Sequence, residues 1–476
     1  MADLNNPPRF DLFQQHVLWL SNSMYGHRRG RHHLENNPAL LAREADRELA
    51  RLIEAEAEDK PEMKQQMHHH QLLLQEVRQQ GGTTEAIRTS YVNMYGGLSL
   101  DIPTWLEEIE QQRLFLNRLR RPERTHKAHI SLLQTALALA AYDPELPAEI
   151  TAELRNELGI ALLQGAYQQT HAARLQVLQK AIACHEAALT IYTLERYPLQ
   201  YAKTQMNLGA AYLQYALTGQ PDETEQAIVC YQEALKVYTP DTFTEQWLQL
   251  QTSLGAAYLQ RAVGDPGDNR EEAISYHLVA LQHAHSTSNP TIWATIQINL
   301  GDAYRQRIIG VRNQNLKQAM ICYRAALQIF TPQSYPVEWA GLHTRLASIY
   351  QEYVADDIEG RDMNLRCAIV CYEGALLVYT PDAFLVEQAA TLTNLAQAHR
   401  LRPLGDPQDH LEQAARCYRS ALQVFTSTSF PAEYRQTLYS LADVEVQRQQ
   451  LLQPDQESQQ RPTERFDYST TYITNK

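Results

Sequence analysis

Leucine, a small residue and then a ring or its substitute recur along the chain in NELGIAL, MNLGAAY, TSLGAAY, INLGDAY, TRLASIY, TNLAQAH and YSLADVE. The leucines are Leu158, Leu208, Leu254, Leu300, Leu346, Leu395 and Leu441, with steps of 50, 46, 46, 46, 49 and 46 residues. Ala-Leu pairs ending at Leu189, Leu235, Leu281, Leu327, Leu376 and Leu422 follow the first six. Apolar positions around both series recur three and four apart, which predicts two amphipathic helices, A and B, per period. From each first leucine to the second the count is 31, 27, 27, 27, 30 and 27; from each second to the next first it is always 19. Length variation therefore falls in the A-to-B loop, where extra residues cost little closure entropy. The B-to-A turn, which sets the step to the next pair, is constant.

Breakers agree with the counting. LTGQPDET, VGDPGDNR, IEGRDMN and RPLGDPQD read as A-to-B loops, and Pro198, Pro290, Pro336 and Pro431 stand where helix A should begin. At about 100° per residue, Tyr231, Ala234, Leu235 and Tyr238 share one side of helix B with Ala227, and Cys230 lies on its shoulder. The equivalent positions are Cys184, Tyr276, Cys322, Cys371 and Cys417, and a tyrosine among them fits packing, not an essential thiol. On helix A the leucine, the ring four residues on and the aromatic seven before (Tyr201, Trp247, Trp293, Trp339, Tyr434) are expected to be buried. Gly209, Gly255 and Gly301 should mark close approach of the partner helix.

Stepping the constant 19 back from Leu158 reaches Leu139 in ALAAYDP, so an earlier, degenerate pair is expected. The predicted organisation is a helical N-terminal region over 1–102 and a solenoid over 103–452. Its pairs span about 103–142, 144–193, 198–239, 244–286, 290–331, 336–380 and 385–426, and a capping helix spans 431–452 in which Glu445 replaces the buried ring. A disordered tail over 453–476 is expected.

A formal charge of -13 argues against a nucleic-acid partner, and GHRRGRHH at 26–33 reads as a solvated loop holding His27, His32 and His33. The start, MADLNNPPRF, lacks a secretion-signal pattern, and the longest apolar run, near 136–142, is too short to cross a bilayer. A cytoplasmic protein with reduced cysteines is expected. His68, His69 and His70 point about 100° apart on a helix and cannot converge on one ion. Cys367 and Cys371 share a face but lack partner ligands. No phosphate-cradling glycine loop, nucleophile elbow or zinc-protease helix occurs, so no metal, no cofactor and no enzymatic activity is expected.

Leu208, Gly209 and Tyr212, with Ala227, Tyr231, Ala234 and Pro240, resemble the tetratricopeptide fingerprint, though the period is 46 and the tryptophan three residues before the leucine is absent. The resemblance implies an all-α fold, a right-handed superhelical α-solenoid of TPR-like helix-turn-helix repeats. The longer pattern, NLGxAYxxR followed by AIxxYxxALxVYT over about 145 to 447, is similar to the long repeats of bacterial proteins that carry a caspase-like CHAT domain. The segment 68–110 resembles their helical lead-in. That resemblance implies a sensor or recruiting arm for a peptidase. The two dozen or so residues after the repeats are too few for a protease domain, so the peptidase would be a separate partner.

Positions 5 and 1 before the helix A leucine, and 2 and 6 after it, lie opposite the expected buried stripe. They are Lys203, Asn207, Ala210, Gln214; Gln249, Ser253, Ala256, Gln260; Thr295, Asn299, Asp302, Gln306; Gly341, Arg345, Ser348, Glu352; and Ala390, Asn394, Gln397, Leu401. In arrays of this kind helix A lines the concave surface, and small, amide-rich side chains there suit capture of a peptide through hydrogen bonds. Lys203 and Asn207 resemble a carboxylate clamp, but Ser253 and Thr295 stand where the clamp wants Asn and Lys. The expected function is a non-enzymatic protein- or peptide-binding scaffold, possessing neither nucleic-acid nor membrane partners. Two alternatives are an effector whose residues 1–100 carry their own activity and a self-assembling array.

Overall fold

A computed structural model of the chain describes residues 19, 27–42, 49–50, 61–118, 122–166, 171–285 and 288–452. The expected disordered tail lies outside them. Among the described residues the fold is all-α, with no strand. Two compact units divide at Ala284 and His285.

Unit 1 holds α1 (His27–Asn36), α2 (Pro61–Gln79), α3 (Thr84–Tyr95), α4 (Thr104–Arg118), α5 (Pro122–Ala140), α6 (Ala148–Ala166), α7 (His171–Leu189), α8 (Pro198–Ala216), α9 (Thr224–Leu235), α10 (Thr244–Gln260) and α11 (Pro266–His283). Unit 2 holds α12 (Pro290–Gln306), α13 (Arg312–Ala326), α14 (Pro336–Glu352), α15 (Ile358–Leu376), α16 (Leu385–Leu401), α17 (Pro407–Ala421) and α18 (Pro431–Leu452). From α6 to α11, and again from α12 to α17, each A helix packs most extensively on its own B helix, as an α-solenoid requires.

The core repeats with the period. Six residues before the leucine, Ala202, Leu248, Ala294, Ala340 and Ala389 are fully buried, and three after it so are Ala211, Ala257, Ala303, Ile349 and Ala398. The leucines from Leu158 to Leu395 are buried as expected, and so is Trp247, but Tyr212, Tyr258, Tyr304 and Tyr350 are only half-buried, as are Tyr201, Trp293, Trp339 and Tyr434. Their polar tips stay within reach of partners, as in Tyr212 Oη donating to Glu186 at 2.7 Å. Small residues take the deepest sites because a ring from helix B fills the space above them. A Cβ on Gly209 would stand 2.6 Å from Tyr231, one on Gly255 2.4 Å from His277, and one on Gly301 2.5 Å from Tyr323.

The constant turn has a structural cause. Thr193, Thr239, Thr331, Thr380 and Thr426 each accept, through the carbonyl, the amide of the residue four on. Rings five apart then meet across the turn in Tyr192–Tyr197, Tyr238–Phe243, Phe330–Tyr335, Tyr379–Phe384 and Phe425–Phe430, at 5.1–5.8 Å between centroids. Ala284 and Asn289 replace such a pair at the boundary of the units.

Two expectations are corrected. LTGQPDET is a loop as expected, but the other three A-to-B loops are shorter than their composition suggests, because their aspartates cap helix B: Asp265 accepts from Gly267 N, Asp357 from Gly360 N and Asp406 from Gln408 N. IEGRDMN thus lies wholly inside α15. GHRRGRHH is no solvated loop, since His27–Asn36 is helical and Arg31 is 1% exposed. Its guanidinium meets Glu35 at 2.6 Å, Asp101 at 2.8 Å and the Ser99 carbonyl at 3.2 Å, which compensates for lost water. Tyr142, the counterpart of buried Tyr192, is 87% exposed, so the degenerate first pair shares the helices but not the turn packing. In α18 Glu445, at the ring position, meets Arg419 and Arg448, and Tyr439 and Val446 are exposed.

The N-terminal helices belong to the same body as the first pairs. Val92 and Leu100 share a core with Ile150, Leu154, Tyr192 and Tyr197. The backbones touch at Gly97, where a Cβ would fall 1.9 Å from the Glu149 carbonyl oxygen.

Candidate binding cleft

The face expected to bind is polar, but its four charged residues, Lys203, Asp302, Arg345 and Glu352, are all spent on joining neighbouring A helices. In unit 1, Lys203 of α8 pairs with Glu153 of α6 at 3.5 Å, and Asn207 donates to Asn156 at 3.4 Å. In unit 2, Arg345 of α14 donates through Nε to both oxygens of Asp302 of α12 at 3.2 Å, and Arg305 donates to Glu352 at 2.9 Å. Arg312 also reaches Glu352, and Gln351 donates to the Asn394 carbonyl at 3.4 Å. Asp302 additionally accepts from the Tyr323 hydroxyl at 2.5 Å. Burial, then the Asp302 carboxylate, pushes the Tyr323 phenol well above its ordinary range, so it remains a donor.

The other expected residues are less engaged. Gln249, Gln260, Gln306 and Gln397 are exposed, and Gln214, Asn299 and Asn394 are half-buried. Unit 1 contains Lys203, Asn207, Gln214, Gln249 and Gln260; the remaining seven are in unit 2.

Between α12 and α14 the polar face opens into a cleft of about 510 Å³. Thr291, Thr295 and Ile298 form one wall, Val337, Glu338, Gly341 and Arg345 the other, and Phe330, Tyr335 and Tyr379 come from the turns. Three of these, Thr295, Gly341 and Arg345, occupy positions 5 or 1 before the leucine, but only Arg345 belongs to the twelve polar residues singled out from the sequence. Gly341 keeps the cleft wide: a Cβ there would lie 3.4 Å from both Arg345 Nη1 and Tyr379 Oη. Arg345 Nη1 is meanwhile fixed by the Gly341 carbonyl at 3.3 Å. An apolar floor bordered by the Arg345 guanidinium and the Glu338 carboxylate can hold an apolar side chain and orient a peptide backbone.

Phe330, Tyr335 and Tyr379 were not foreseen as site residues. Their signal was the ring-Thr-x-x-x-ring turn, which reads as packing until the helices on either side are placed. Four thiols sit in unreactive settings: burial pushes Cys230 up to about 12 and Cys322, Cys371 and Cys417 up to about 11. His70 packs edge-on against Trp19 at 4.5 Å, and among the described residues no cluster of His, Cys, Asp and Glu has the makings of a metal site. Nor is any described helix long and apolar enough to cross a membrane. Compared with known proteins, the chain matches no family model and no curated protein.

Proposed function

We propose that the chain is a non-enzymatic scaffold, a right-handed α-solenoid of TPR-like pairs, that binds a protein or peptide along its A helices, with the α12–α14 cleft as the anchoring site. The cleft carries this reading: Arg345, held by its bridge to Asp302 of α12, and Tyr379, bonded to the Val337 carbonyl, border an apolar hollow, so little ordering entropy of these two opposes binding. The resemblance to repeats that accompany caspase-like domains supports a partner of that class, a separate peptidase in a bacterial cytoplasmic defence or signalling system. Amide side chains such as Asn299 and Gln306 serve the peptide backbone beyond the anchor.

Peptides selected from a random library against the intact chain test the site. Gly341→Trp, which fills the hollow, should weaken the selected peptides at least tenfold, whereas Val370→Trp on the exposed side of α15 should leave them bound. Peptides indifferent to Gly341→Trp would place the interaction elsewhere.

A further inference from the structure

We propose that unit 1 carries a second site, unrelated to the peptide cleft, that binds a small organic cation of the aryl- or alkyl-ammonium class. It is the hollow of about 370 Å³ between α2, α3 and the turns leading into α8 and α10. That volume lies at the small end of ligand pockets. Leu72, Met94, Leu199 and Phe243 supply apolar wall, and Glu76 and Glu195 supply carboxylates.

The one base in the lining, Arg196, is committed outside it. Its guanidinium meets Glu149 at 3.5 Å and Glu85 at 3.9 Å and lies 5.1 Å over the Tyr197 ring. Glu76 is in the opposite situation. Its Oε1 accepts twice, from Asn93 Nδ2 at 2.9 Å and Gln80 Nε2 at 3.2 Å, while among the described residues no donor meets Oε2 and no cation pairs with the group. Burial raises its pKa to about 7 despite those two bonds, the mark of a carboxylate without a counter-charge.

The position of Glu76 is locked. Asn93, which holds it, accepts the Leu199 amide through Oδ1 at 2.7 Å and the Gln200 side chain through its carbonyl at 2.9 Å. The carboxylate on α2 is thereby fixed against the opposite wall of the hollow. An N–H cation with an apolar tail would satisfy Oε2 and cover Leu199 and Phe243 in one step, whereas an anion would meet two carboxylates.

Isothermal titration of the full chain at pH 8 with 2-phenylethylamine, and with neutral 2-phenylethanol, tests the assignment. The amine should bind saturably at one site, at least tenfold tighter than the alcohol. Glu76→Gln retains an acceptor for Asn93 and should lower amine affinity tenfold or more without lowering the unfolding temperature. Thr242→Trp, at an exposed rim position, should abolish binding by filling the hollow. Equal affinity for amine and alcohol, or amine binding indifferent to both substitutions, or no saturable amine binding at all, would overturn it.

Discussion

At the residue scale, the pairs are held by a ring of helix B laid on a glycine or alanine of helix A. Gly301→Ala would push a methyl to within 2.5 Å of Tyr323, and we expect a loss of about 1–3 kcal/mol in urea unfolding. Gly341→Ala meets only 3.4 Å neighbours and gains helix propensity, so it should be neutral or stabilising by up to ~1 kcal/mol while narrowing the cleft. His185 and His277 take the ring position in two pairs, where burial pulls each pKa down to about 4 from an ordinary 6.5. Both ring nitrogens of His277 are enclosed without a protein partner. The unfolded chain binds more protons than the folded one between these values. Stability is therefore complete above pH 6.5 and falls as the pH drops towards 4, by on the order of 3 kcal/mol per histidine. His277→Tyr, the ring that other pairs use, should flatten part of that slope in unfolding curves at pH 7.5 and 5.

At the element scale, the helices were legible because each repeats a periodic stripe, and the turns because their length never changes. Legibility ended where an effect depends on residues with no common period. The Asp-Pro starts of α11 and α17 read as loops, since composition alone does not distinguish a cap from a turn. Arg31 looked solvated because Glu35, Ser99 and Asp101 converge on it only in the folded chain. The cleft stayed hidden because its walls come from residues 291 to 379, and what opens it is a missing side chain at Gly341. The turn packing makes a separate prediction. Three residues inserted at Gly310, in the loop after α12, should cost only a few tenths of a kcal/mol. The same insertion between Phe330 and Tyr335 separates a ring pair 5.1 Å apart and should destabilise unit 2 far more, as measured by thermal unfolding.

At the scale of the whole molecule, binding has to be carried by bodies that hold together without a central core, through contacts that repeat from pair to pair. Within unit 1 the N-terminal helices take part in that packing and are not an appendage. Removing residues 1–100 would uncover Ile150, Leu154, Tyr192 and Tyr197, so the truncated chain should lose the amide protection of α6 and α7 in hydrogen exchange while unit 2 keeps its own. An effector module separable from the array would leave both unchanged. In unit 2 the bridges Asp302–Arg345 and Glu352–Arg305 join the two A helices, α12 and α14, that wall the cleft. The most direct test of the cleft is photo-cross-linking of a library-selected peptide to the full chain, with p-benzoylphenylalanine placed either at Thr295 inside the hollow or at Ile321 on the exposed side of α13. Cross-linking from Thr295 and none from Ile321 is the predicted result. Capture from Ile321 alone would contradict it.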